Sequence, residues 1–296
     1  MIHALALSLA VAAFGVEIPT IGITFDKSWP WTLGHYFSAD VAHDIGTNLR
    51  ADYVRTGWIP NWVHKRKSWR RENEVLDTFC GAGLHMMIIV PGLNSDSRGE
   101  EDLLQNVRVF FTRYTQREPG CIRYAEIANE TNLPVNGFGS AAQYAAYYAK
   151  VAPIVASFGI PVITSGVSGP DTEWMSALTG DLRATQPPPP VSGYAFHPYG
   201  VAVSQIGPAF DAMQRAAGAL PDGSPNVTYV TEMGRTDASD LYRSIVALAP
   251  LTPAITLYEY MAQPEESDGK YALVDHPALY EAARRAFADA RADGTP

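Results

Sequence analysis

Cysteine is nearly absent from this chain: Cys80 and Cys121 are the only two in 296 residues. That number excludes a disulfide-scaffold fold and a cysteine-ligated metal site. Charge is also scarce, with charged residues at 18% and a net charge of −9. The longest basic run, "HKRKSWRR" from His64 to Arg71, reads inside an acidic chain as a solvated loop and helix start, not a phosphate-binding patch. Nucleic acid is therefore not an expected partner. No apolar run reaches the roughly 20 residues that a membrane span requires. HExxH and clustered His/Asp sets are missing, so no metal or cofactor is expected. "SGVSGP" has Pro170 where a nucleophile elbow needs glycine, which removes the α/β-hydrolase reading.

Apolar residues, by contrast, make up 47% of the chain, enough for a large buried core. The N-terminal "MIHALALSLAVAAFGVEIPT" carries an apolar run from Ala4 to Gly15 that ends in small residues. It fits a signal-peptide core over residues 1–16, although the usual Lys or Arg at the start is missing. An ordinary buried N-terminal segment is the alternative. With the signal reading the protein is secreted or periplasmic; without it, cytoplasmic. Residues 17–296 form one domain, and a monomer is expected.

Short apolar runs alternate with longer amphipathic ones along the rest of the chain. The strand candidates are Ile21–Phe25, Tyr53–Trp58, Met86–Val90, Ile122–Asn129, Val162–Ser165, Gly193–His197, Thr228–Glu232 and Ala254–Tyr260. Between them lie helical patterns with clear punctuation. One opens on Ser140, a good N-cap, and stops at Gly159 with Pro161 just beyond. The last has Pro277 in its first turn. This repeat, undivided by any linker, predicts a single (β/α)₈ TIM barrel. A doubly wound open sheet would need a Gly-rich loop after its first strand, and "FDKSWPWTLG" is not one.

In such a barrel the chemistry collects where strands end. Cys80 and Cys121 precede strands, so both belong to the opposite, lower face. Strands three and four are neighbours, which allows a Cys80–Cys121 disulfide in an exported protein; two buried free thiols are the alternative. At the upper face, Glu130 ends strand four and Glu232 ends strand seven. Two carboxylates across a barrel mouth are what glycosidic cleavage requires, one to protonate the leaving oxygen and one to attack or to activate water. Arg55, Asn129, His197 and Tyr199 fall on the same rim. Trp29, Trp31, Trp58, Trp174, Tyr258 and Tyr260 follow strands, and flat aromatic faces suit sugar rings. Glu126, deeper in strand four, reads as a structural carboxylate paired with an Arg of a neighbouring strand.

"YAEIANETN" and "YVTEMG" resemble the strand-four and strand-seven signatures of the clan A (4/7 superfamily) glycoside hydrolases. "FHPYG" and "DGKYALVD" are similar to strand six and the strand-eight return in families 39 and 5. The resemblance runs from Ile21 to about Ala290. It implies a retaining O-glycoside hydrolase acting on a β-linked glycan, with Glu130 as acid/base and Glu232 as nucleophile. It further implies Asn129 on the sugar 2-hydroxyl, Tyr199 and Arg55 on the nucleophile, and His197 lining the sugar site. Thr131 stands where the clan usually has proline, and Tyr258, Glu259 and Tyr260 where a tryptophan is common. An acid beside an ionised carboxylate is expected to hold its proton, so Glu130 is predicted to titrate high while Glu232 stays charged near Arg55. The aromatic rim favours a polysaccharide or oligosaccharide and an endo cut. A non-catalytic carbohydrate-binding barrel and a transglycosylase share these residues and remain alternatives. Mass spectrometry of the exported protein is expected to find an N-terminus between Ala12 and Glu17; retained Met1 would rule out the signal.

Overall fold

The computed structural model describes residues 20–24, 38–57, 69–92, 100–261 and 269–292. Eight parallel strands close into one barrel in chain order, with the first paired to the last. They are β1 (Thr20–Thr24), β2 (Tyr53–Gly57), β3 (His85–Val90), β4 (Ile122–Ile127), β5 (Val162–Ser168), β6 (Gly193–His197), β7 (Thr228–Met233) and β8 (Ala254–Leu257). The helices are α1 (Ala39–His43), α2 (Trp69–Gly81), α3 (Glu100–Arg117), α4 (Ala141–Ala156), α5 (Thr172–Ala184), α6 (Ile206–Ala217), α7 (Ala238–Leu248) and α8 (Pro277–Ala292). This is the (β/α)₈ architecture. Among the described residues no helix is long and apolar enough to cross a membrane. Residues 1–16, for which a signal peptide is expected, lie outside them.

Local chemistry explains the helix ends. Ser140 caps α4 by accepting from the Gln143 N–H, and the Gln143 side chain accepts from the Gly139 N–H in return. Gly159, at φ 74°, takes the left-handed turn that releases the chain toward β5. At the lower face Cys80, in the last turn of α2, is joined to Cys121, just before β4, by a disulfide with Cα atoms 5.8 Å apart.

Successive strand residues point alternately into the barrel and out toward the helices. The outward set, with Ile21, Val54, Ile88 and Ile127 among it, joins the helices in one large apolar core. The inward set begins with a separate cluster of Tyr53, Met87, Ile163, Ala195, Tyr229 and Ala254, with Tyr124 against it. The tyrosine rings meet edge-on, Tyr124 lying 6.4 Å from Tyr53 and 5.5 Å from Tyr229. Glycine makes room for them: a Cβ on Gly22 would sit 2.2 Å from the Tyr53 ring, and one on Gly193 2.3 Å from Tyr229. Two residues further along the same strands, the positions after Tyr53, Tyr124, Ala195 and Tyr229 are Arg55, Glu126, His197 and Thr231. All four are buried. The barrel therefore changes from an aromatic plug to a polar layer in one step of the pleat.

The chain's return after β8 is fastened from outside. Asp44, in a π turn continuing α1, accepts from the Tyr260 and Tyr280 hydroxyls at 2.7 Å each and from the Asn48 amide at 2.7 Å. The Asp44→Ala substitution removes the acceptor that both tyrosine hydroxyls share. It is expected to lower stability by about 2 kcal/mol in urea unfolding.

Candidate active site

The polar layer is organised by one guanidinium. Arg55 donates from Nε to Glu126 Oε2 at 2.7 Å, from Nη1 to Glu232 Oε2 at 2.5 Å and from Nη2 to Asn129 Oδ1 at 2.7 Å. Burial opposes its charge, but the carboxylates of Glu126 and Glu232 outweigh that and hold it protonated well above the ordinary arginine range. Glu126 lies on β4, two strands from Arg55, so the pair spans the barrel interior and not a neighbouring-strand contact.

Tyr199 donates its hydroxyl to Glu232 Oε1 at 2.9 Å. Burial first, and then the charge of Glu232, push the phenol far above its usual range, which keeps it a donor. Both oxygens of Glu232 thus carry a hydrogen bond, and its side chain remains 11% exposed to the cleft. Glu130, 16% exposed, places Oε1 3.0 Å from His197 Nδ1. Donor-type atoms of Glu130, His197 and Glu232 all lie within 4.8 Å of one another. Such a trio could present ligands to a cation, but Arg55 and Tyr199 already occupy both oxygens of Glu232. A guanidinium at that distance opposes a second positive charge. The arrangement fits a charge-paired acid couple.

The electrostatics correct one expectation. Burial pushes the Glu130 carboxyl up, but the hydrogen bond and charge of His197, with help from Ser168 and Arg55, outweigh it and hold Glu130 below the ordinary carboxylate value. The sequence reading weighed only the neighbouring Glu232 and missed the imidazole on the other side. Backbone geometry is special here too. Ala128 and Glu130 adopt φ of 63° and 44°, left-handed values that cost a non-glycine residue roughly 1–3 kcal/mol each. The bend is held by the Ala128 N–H on Val90 O at 2.7 Å and by the Leu133 N–H and the Asn136 amide on Glu130 O at 2.9 and 3.0 Å. Thr131, in the usual proline position, donates its backbone N–H to Ser165 Oγ at 3.1 Å. Proline could not make that bond.

A cleft of about 660 Å³ opens over this layer, lined by Arg55, Asn129, Glu130, Tyr199, Glu232 and Tyr258, with Thr24, Gly57, Ile89, Ser168 and Tyr271 completing it. Six of the predicted substrate-site residues are placed differently or lie outside the described region. His197 has no exposure and sits behind Glu130 rather than lining the cleft. Tyr260 is buried with its hydroxyl on Asp44, because β8 ends at Leu257 and the alternation that would have carried Tyr260 to the mouth stops there. Trp174 is already in the first turn of α5, its backbone N–H held by the Asp171 cap, and packs against the strand–helix core. Trp29, Trp31 and Trp58 fall outside the described residues. Tyr271, from the return after β8, is the aromatic that sequence reasoning missed. Its ring lies 6.1 Å from Tyr199 and 6.2 Å from Tyr258, with Lys270 Nζ 5.2 Å from its centroid. The "DGKYALVD" motif contained it. Ser168 and Thr231 gave no signal of their own.

No protein-family model matches the chain, and neither does any curated protein. Solved structures do. It is similar to a glucosidase from Croceicoccus marinus at 12% identity and TM-score 0.63, over 84% of this chain and 62% of that one. It is also similar to a family 5 glycoside hydrolase cellulase from an Icelandic hot spring isolate, at 13% identity and TM-score 0.62 over 94% and 89%. A family 30 endoxylanase from Clostridium papyrosolvens matches at 11% identity and TM-score 0.59 over 90% and 71%. The chain spans only 62% of the glucosidase's length. At such identities the likeness establishes the TIM-barrel fold, and these neighbours on that fold are glycosidases. Replacing Arg55 by Met leaves the buried carboxylates of Glu126 and Glu232 without their counter-charge. It is expected to cost about 3–5 kcal/mol, read from the midpoint and slope of urea unfolding.

Proposed function

We propose that this protein is a retaining O-glycoside hydrolase of the clan A type that cleaves β-linked glycans by double displacement. The observation that carries this reading is the spacing of the two strand-end carboxylates, whose oxygens approach within 4.8 Å. Retaining enzymes hold the pair at about 5 Å, whereas inverting ones leave a gap of roughly 6.5–9.5 Å for a water. In the first step Glu232 attacks the anomeric carbon while Glu130 delivers a proton to the leaving oxygen. In the second step Glu130 takes a proton from water, which displaces the sugar from Glu232. Arg55 and Tyr199 keep Glu232 aimed and hydrogen-bonded, and Asn129, steadied by Arg55, presents its amide to the sugar 2-hydroxyl.

Tyr199, Tyr258 and Tyr271 supply apolar faces for sugar rings, and a cleft open at 660 Å³ suits an internal segment of a longer glycan. An endo cut on a polysaccharide or oligosaccharide is the reading this supports. Export is part of the proposal as well, because the Cys80–Cys121 bridge suits an oxidising compartment. Glu130→Ala and Glu232→Ala are each expected to abolish turnover in a screen of β-glucans, mannans, xylans and bacterial exopolysaccharides. Azide is expected to restore Glu232→Ala by forming a glycosyl azide of inverted anomeric configuration, seen by NMR. Full activity in either variant would overturn the scheme.

A further inference from the structure

Behind Glu130 the buried groups form a continuous hydrogen-bonded chain. Glu130 Oε1 faces His197 Nδ1 at 3.0 Å, and His197 Nε2 faces Thr231 Oγ1 at 3.0 Å. The Thr231 hydroxyl donates to Glu126 Oε1 at 3.0 Å. That oxygen also takes the Gly166 N–H at 2.9 Å, and Glu126 Oε2 takes Arg55 Nε at 2.7 Å. Arg55 then returns to Glu232. Glu126 is 0% exposed and both its oxygens receive protons from groups that can only donate.

Donor counting along this chain has one solution. A threonine hydroxyl has a single proton, and Thr231 spends it on Glu126. Its oxygen can meet His197 Nε2 at 3.0 Å only as an acceptor, so Nε2 carries a hydrogen. In the neutral ring Nδ1 is then a bare lone pair, and it faces a carboxyl oxygen at 3.0 Å. Two acceptors at that distance repel, so one proton must lie between Nδ1 and Glu130.

We infer that Thr231 and Glu126, neither of which lines the cleft, set the tautomer of His197 and thereby make Glu130 and His197 a couple that binds and releases one shared proton. This rests on the proposed role of Glu130 as acid/base, and it casts Thr231 and Glu126 as positioning residues. It gives a buried acid of strand four a task beyond pairing with Arg55.

The surroundings leave few other influences on the couple. The charged groups on and just after β4 are Glu126, 3.8 Å from Nε2, and Glu130. From β2 comes Arg55, and from β7 come Thr231 and Glu232. After β6, Tyr199 meets the imidazole edge-on at 6.3 Å. β5 contributes Ser168, whose side chain hydrogen-bonds Glu130, and Gly166, where an added Cβ would lie 2.0 Å from Nε2, so the ring occupies space that only glycine leaves. That packing fixes the imidazole in place and prevents it from exchanging its two nitrogens by rotation.

Nitrogen-15 spectra of the labelled histidine rings test this directly, with the His197→Asn variant identifying the signals. In wild type the neutral His197 ring is expected to carry its hydrogen on Nε2. Thr231→Val removes the acceptor and is expected to shift the ring toward the Nδ1–H form, while Thr231→Ser restores the wild-type pattern. A wild-type ring protonated on Nδ1, or a Thr231→Val ring unchanged from wild type, overturns the inference. On a glycan that the enzyme turns over, Thr231→Val weakens the hold on the doubly protonated ring. The basic limb of kcat/KM should therefore move down by about one pH unit, with KM little changed. An unmoved limb overturns the link to Glu130. The spectra read out whether or not any glycan is cleaved, so wild-type inactivity across the panel counts against the proposed function alone.

Discussion

A single buried guanidinium is the constraint on which this site is built. Arg55 has three nitrogens aimed at three different partners. Glu126 anchors it within the barrel, Asn129 and Glu232 receive it at the rim. An arginine in this position is costly to bury alone, and two carboxylates are costly to bury together. Placed between them it offsets part of both penalties at once. The planar fork also fixes directions as well as charge, which a lysine would not do. The geometry of Glu232 is therefore inherited from a strand on the far side of the barrel.

The aromatic plug below makes this possible. Tyr53, Tyr124 and Tyr229 fill the lower interior, and the Tyr53 hydroxyl finishes on Thr256 at 2.6 Å. Water is kept from beneath the polar layer, so the charges above work in a medium where hydrogen bonds are stronger and unpaired groups dearer. The local strain at Ala128 and Glu130 belongs to the same economy of position. It turns the acid out of the strand and toward the mouth, and the hydrogen bonds to Val90, Ser165 and Asn136 keep it there.

Much of this could be read from residues alone. Strand runs bounded by glycine and proline marked all eight strands to within a few residues, and Glu130 and Glu232 stood out because acids rarely end buried strands without a purpose. What misled was any step that depended on parity past a strand end or on a partner across the barrel. Tyr260 seemed to continue the inward alternation of Tyr258, but the strand stops at Leu257. Trp174 seemed to belong to a loop, yet Asp171 starts a helix there. The expectation that Glu130 titrates high fails because His197, distant in sequence, lies behind it.

The sequence by itself determined the number, order and direction of the strands, and with them which residues stand at the upper rim. Those follow from periodicity and punctuation, which are properties of a few neighbouring residues and of the backbone's own hydrogen bonding. Tertiary structure alone decided that Arg55 reaches Glu126 over an intervening strand, that His197 hides behind Glu130, and that Tyr271 and not Tyr260 faces the cleft. Closure of the barrel and the stagger of its strands bring such groups together, and neither leaves a trace in the local pattern of any one strand.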